Sequence, residues 1–99
     1  MIFIRRIIVY GKTIKKSQCK LEDILNRIPY NEVKTVKKGR NDMEVILKNG
    51  DIYTVASGNE SAKGFKWNYA YIDREISMDI FNNIILPSGH LLNGNYEYY

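Results

Sequence analysis

Two short runs rich in β-branched and aromatic residues, Met43 to Leu47 and Ile52 to Val55, are separated only by Lys48-Asn49-Gly50-Asp51. Asn-Gly tolerates the positive φ of a type I′ turn, so this stretch predicts an antiparallel hairpin. Tyr53 and Val55 alternate with Thr54, as a half-buried strand requires. A chain of 99 residues has room for this hairpin within one domain, 1–99. At that length roughly 60–65% of the unfolded surface is buried, so the core is thin. With 44% hydrophobic and 26% charged residues, the chain has the balance of a folded domain and too many apolar groups for a disordered one.

The other elements follow from periodicity. Ile2 to Tyr10 reads as a strand, and the consecutive Ile7, Ile8 and Val9 imply burial on both faces or a bulge. Leu21, Ile24, Leu25 and Ile28 form one apolar helical stripe. Ser17 or Gln18 is the expected start of that helix, Glu22 and Asp23 suit its positive end, and Pro29 stops it. Val33 to Val36 and Trp67 to Ile72 read as further strands. Asp73 or Ser77 caps a last helix with apolar positions Ile76, Ile80, Phe81, Ile84 and Ile85, ended by Pro87 and Gly89. The tail 88–99 is either loose or a late strand through Asn95 to Tyr99. The expected fold is α+β: a mostly antiparallel sheet of four to five strands with two short helices against it.

Cys19 is the only cysteine, so neither an internal disulfide nor a cysteine zinc cluster is available. The apolar runs are too short to cross a bilayer. At the N-terminus apolar residues precede Arg5 and Arg6, the reverse of a signal peptide. A cytoplasmic protein with no membrane partner is expected, in the host cytoplasm if it is phage-encoded.

Charge is uneven along the chain. Residues 1–40 hold eleven cations and three carboxylates, net +8, while residues 41–99 are net −4. A basic half attracts polyanions, and Lys34, Lys37, Lys38 and Arg40 are the residues expected to touch phosphates if nucleic acid is the partner.

Gly11-Lys12-Thr13 resembles the end of a P-loop, but Arg6 occupies the position of that motif's first glycine. A second resemblance covers residues 49–75. Asn49-Gly50-Asp51-Ile52-Tyr53-Thr54-Val55, Ser61-Ala62-Lys63-Gly64-Phe65-Lys66-Trp67-Asn68 and Ala70-Tyr71-Ile72-Asp73-Arg74-Glu75 resemble the Walker-B region of phage terminase large subunits. The resemblance implies a phage or prophage origin and puts Asp73 at the magnesium position. Arg74 stands where the family has glutamate, Glu75 comes one residue late, and no Walker A accompanies them.

No catalytic constellation is legible. His90 lacks a nucleophile at a diagnostic spacing. Cys19 among Lys15, Lys16 and Lys20 reads as inert, and Asp73, Glu75 and Asp79 read as helix-start carboxylates rather than metal ligands. No metal and no cofactor is therefore expected. The loop from Ser57 to Trp67 is the most suggestive surface. Ser57, Asn59, Ser61, Lys63, Lys66, Trp67 and Arg74 together offer hydroxyls, cations and an aromatic wall for a small phosphorylated nucleotide. Eight tyrosines, clustered at Tyr96-Glu97-Tyr98-Tyr99, favour a protein partner or a homo-oligomer. The leading expectation is a non-enzymatic binding protein of phage or mobile-element type that inhibits or sequesters a host component. Nucleic-acid binding, capture of a phosphorylated ligand and a small hydrolase or nuclease follow in that order.

Overall fold

The computed structural model describes residues 4–59, 66–90 and 94–99. Among the described residues there are six strands: β1 (Arg6–Gly11), β2 (Val33–Lys38), β3 (Met43–Leu47), β4 (Ile52–Ser57), β5 (Tyr69–Ile72) and β6 (Asn95–Tyr98). Helix α1 (Ile14–Asn26) follows β1. Helix α2 follows β5 as three consecutive stretches, Met78–Ile80, Phe81–Ile85 and Leu86–His90, the middle one π-helical. The strands form one sheet in the order β2-β3-β4-β1-β5-β6.

The α+β class holds, but the sheet is six-stranded and mixed rather than four to five strands and mostly antiparallel. β1 lies parallel to both neighbours, β4 and β5, and β5 is parallel to β6. Only β2–β3 and β3–β4 are antiparallel. Hairpin turns announce antiparallel pairs locally; a parallel pair needs a crossover, whose closure no local pattern records.

The run Ile7-Ile8-Val9-Tyr10 is buried on both faces of the sheet, with no bulge in its register. Ile8 and Tyr10 join Trp67, Ala70, Ile72, Phe81, Ile84 and Ile85 under α2. Val9 faces the other way, onto Leu21 of α1 with Met43, Val45 and Leu47. The sheet is thus covered by α1 on one face and α2 on the other.

Helix α1 begins three residues earlier than the stripe suggests. Thr13 is its N-cap, with Oγ1 accepting from the Lys16 N–H at 3.2 Å. Glu22 and Asp23 consequently lie mid-helix instead of in the first turn. Ser17 and Gln18 are buried on the helix's inner side, and Gln18 Nε2 donates to the carbonyls of Gly39 (3.0 Å) and Asp42 (2.8 Å). That clamp holds the β2–β3 turn against α1.

Ser77, not Asp73, caps α2: its Oγ accepts from the Ile80 N–H. The helix also passes through Pro87 and Gly89 to His90. A proline cannot donate to the helical ladder, and the preceding π turn, where the Leu86 N–H reaches the Phe81 carbonyl, shifts the ladder before Pro87 is met. Within the tail, 88–90 is helical and Asn95–Tyr98 forms a strand.

The β3–β4 connection is tight, but its loop is Lys48-Asn49-Gly50, one residue longer than a type I′ turn. The Gly50 N–H donates to the Leu47 carbonyl, and Leu47 N–H to the Asp51 carbonyl at 2.9 Å. Gly50 alone takes the left-handed region, at φ 99, while Asn49 Oδ1 accepts from the Asp51 N–H. Gly50→Val is therefore expected to destabilise the fold by more than about 1 kcal/mol through forced positive φ. An unchanged urea midpoint would contradict this.

Candidate functional site

The carboxyl ends of β4, β1, β5 and β6 lie along one edge of the sheet. From this edge the chain leaves β1 into α1 on one face, and leaves β5 into α2 on the other. The crevice between β1 and β5 is therefore the switch point at which open α/β sheets take ligands.

Asp73 sits there, immediately after β5, with only 2% of its surface exposed. Its own N–H continues the ladder to the Tyr10 carbonyl at 2.9 Å. Oδ2 accepts from the Lys12 N–H at 2.9 Å and Oδ1 from the Glu75 N–H at 3.0 Å. The Lys16 ammonium lies 3.1 Å from Oδ2 and 3.4 Å from Oδ1, and also pairs with Glu75. Burial pushes the Asp73 carboxyl up, but the N–H groups of Lys12 and Glu75 and the charge of Lys16 outweigh it, so its pKa lies below the usual value. Lys16 is raised in turn, first by Glu75 and then by Asp73.

The local sequence explains this closure. Only Lys12 and Thr13 separate β1 from α1. Gly11 ends the strand so close to the helix that an added Cβ would lie 2.5 Å from the Ser17 nitrogen and 2.6 Å from the Thr13 carbonyl oxygen. The first turn of α1 carries no acidic residue. Its positive end instead receives Asp73 and Glu75 from beyond β5.

Tyr99 continues the β6 end of the same edge. Its N–H donates to the Ile72 carbonyl and its hydroxyl to the Tyr10 carbonyl, both at 2.9 Å. Burial, then the charge of Asp73, pushes the phenol up. Arg74 is exposed, and its backbone N–H and Nε both reach the Tyr99 carbonyl. A shallow depression of about 380 Å³ beside it is lined by Lys15, Lys16, Cys19, Lys20 and Tyr99, with Lys20 Nζ 5.3 Å from the centre of the Tyr99 ring.

The expected ligand loop is dispersed. Ser57 ends β4 at the carboxyl edge, and Asn59 is exposed just beyond it. Ser61 and Lys63 lie outside the described residues. Lys66 is exposed but precedes β5, at the edge where the Asn68 N–H donates to the Arg6 carbonyl. β5, four residues and about 13 Å long at some 3.3 Å per residue, therefore lies between Lys66 and Arg74 and keeps them at its opposite ends. Trp67 is wholly buried and has no face free for a base. A lone tryptophan beside charged residues reads equally as core or as platform until its neighbours are known.

Of the basic residues, Lys34, Lys37 and Lys38 belong to the edge strand β2, and Arg40 to the turn after it. All four are exposed, and Lys38 pairs with Glu22 of α1. Among the described residues no three His, Cys, Asp or Glu side chains gather closely enough to hold a metal ion. Asp79 sits in the first turn of α2. The His90 side chain lies outside the described residues, and Cys19 is a free, exposed thiol. Lys12, Lys16 and Tyr99 were missed as site residues. Gly11-Lys12-Thr13 and Asp73 were each legible, but only the parallel register Tyr10↔Ile72 brings them together.

No protein-family model matches the sequence, and no curated protein matches it. Solved structures resemble its fold. The large terminase ATPase domain of Thermus phage P74-26 aligns over 95% of this chain in a mutant form, at 10% identity and TM-score 0.68. The same domain without that mutation aligns over 95% at 12% identity and TM-score 0.60. A large terminase from a thermophilic bacteriophage aligns over 95% at 15% identity and TM-score 0.62. The chain spans 47%, 46% and 25% of those three chains, so it matches less than half of each. The likeness to terminases is one of fold.

Buried Asp73, paired with the partly exposed Lys16, makes stability depend on acid. A carboxylate held below its ordinary pKa contributes fully above the unfolded value of about 3.9, and the contribution is lost as pH falls through the folded value. The melting temperature is expected to drop below about pH 4. Asp73→Asn should lower stability at pH 7 by about 1–3 kcal/mol and flatten that acid limb. Identical acid limbs in urea titrations of the two proteins would count against this role.

Proposed function

We propose that this chain is a binding protein of phage or mobile-element type, built on a terminase-like fold, that acts by occupying a host component rather than by catalysis. The observation that carries the reading is the saturation of Asp73. In the resemblance to a Walker-B strand, Asp73 is the carboxylate that serves magnesium. Here both its oxygens are occupied by the Lys12 and Glu75 N–H groups and the Lys16 ammonium. The Gly11-Lys12-Thr13 junction leaves no loop whose amides wrap a phosphate. These residues do not fit a magnesium–nucleotide.

Incubation with ATP or GTP and magnesium is expected to give neither phosphate release nor a rise in melting temperature. Turnover that disappears in Asp73→Asn would overturn the non-catalytic reading.

A second reading, nucleic-acid binding, is favoured by one observation. The Gln18 clamp draws the turn bearing Arg40, with Lys37 and Lys38 before it, towards the end of the sheet where Lys12, Lys15 and Lys16 stand. A polyanion spanning both groups would be held mainly through its phosphates. Oligonucleotide affinity is then expected to fall steeply with salt. Replacing Lys37 and Arg40 together by glutamate should reduce the duplex salt slope by about two, one per lost phosphate contact. No binding at low salt would remove this reading.

A further inference from the structure

We propose that two copies of this chain pair through β6, strand against strand and antiparallel, into a dimer. This inference is independent of the function proposed above.

The two edges of the sheet are built differently. β2 carries Lys34, Lys37 and Lys38, and its register shifts between Val33 and Thr35. Edge lysines and bulges keep strands from pairing with copies of themselves. β6 has neither lysine nor proline, its register with β5 is regular, and all four of its residues are exposed. Its one charge, Glu97, accepts a hydrogen bond from the Tyr69 hydroxyl at 2.6 Å.

The backbone of β6 has bonding groups to offer. The Asn95 N–H donates inward to the Asn68 carbonyl, and the Tyr99 N–H to the Ile72 carbonyl. Amides alternate sides along a strand, so those of Tyr96 and Tyr98 point away from β5. Their rings are 40% and 43% exposed and stand over Phe81, with centroids 5.1 and 5.8 Å from it. An unpaired edge and an aromatic pair therefore coincide on one strand.

A second copy fits this edge better than a strand of opposite charge would, because β6 is close to self-complementary. In the antiparallel register with Tyr96 on the two-fold axis, Tyr96 meets Tyr96, and Asn95 of each copy faces Glu97 of the other. An amide then lies opposite each carboxylate, and the two Glu97 side chains are kept apart. The tyrosines of both copies fall on the α2 face and form one aromatic strip.

Sedimentation velocity from low to high micromolar concentration tests the proposal. The expected result is a species of twice the 11.6 kDa chain mass. Tyr96→Lys should weaken the dimer at least about tenfold, since the substitution meets itself across the axis. Val36→Lys on the other edge should leave the dimer intact. Tyr96 also packs on Phe81, so a second measurement guards against a folding defect. In the unaltered protein, hydrogen exchange at the Tyr96 and Tyr98 amides should slow as protein concentration rises. A chain that stays monomeric overturns the proposal, as does a dimer that responds to Val36→Lys and not to Tyr96→Lys, or exchange at these amides that ignores concentration.

Discussion

A carboxylate buried between two parallel strands must be answered on every side, and Asp73 is answered by groups from three parts of the chain. Lys12 supplies an amide from the end of β1, Glu75 an amide from the turn after β5, and Lys16 an ammonium from α1. Leaving any of them out would strand a charge with 2% exposure in a low-dielectric site. The arrangement fixes where α1 starts relative to β5. It also explains why a helix can open with Lys15 and Lys16 against its own dipole: the acids that offset them come from across the sheet. Gly11 belongs to the same constraint, because a side chain there would push the first turn of α1 away.

The same closure lies at the switch point of the sheet. Sheets of this kind present ligands to the carboxyl ends of their strands, and here that crevice is filled by the protein's own ion pair. The likeness to large terminases is one of fold, over less than half of those chains. At the strand ends stand a two-residue junction after β1, a lysine on the carboxylate, and Tyr99 bonded to the Tyr10 carbonyl. The two sheet edges differ, one lysine-bearing and one tyrosine-bearing.

Some of this was legible residue by residue. The Asn49-Gly50 signal located a turn, although Asn49 and Asp51 made its loop one residue longer than the dipeptide suggested. The Leu21-Ile24-Leu25-Ile28 stripe found the buried face of α1 but missed its first turn, where Ile14 to Ser17 carry no stripe and only the Thr13 cap marks the start. Pro87 was read as a stop because a proline usually is one; a π turn two residues earlier allowed the helix to continue. Trp67, beside Lys63 and Lys66 in sequence, reads as either an aromatic wall or core, and the adjoining strand turns its ring wholly into the core under α2.

What the sequence by itself determined is short-range: which segments are strands or helices, which of their faces are apolar, where glycine must take positive φ, and that the first forty residues carry the positive charge. These follow from side-chain periodicity and turn chemistry, which act over a few neighbouring residues. Tertiary structure alone decided that β1 is central and parallel to β4 and β5, that Lys16 meets Asp73 across 57 residues, that Lys66 and Arg74 lie at opposite ends of β5, and that β6 is the last strand of the sheet among the described residues. Parallel pairing and ion-pair closure depend on distant segments arriving together. The cost of closing such a loop grows only slowly with its length, so the intervening sequence carries little record of the contact.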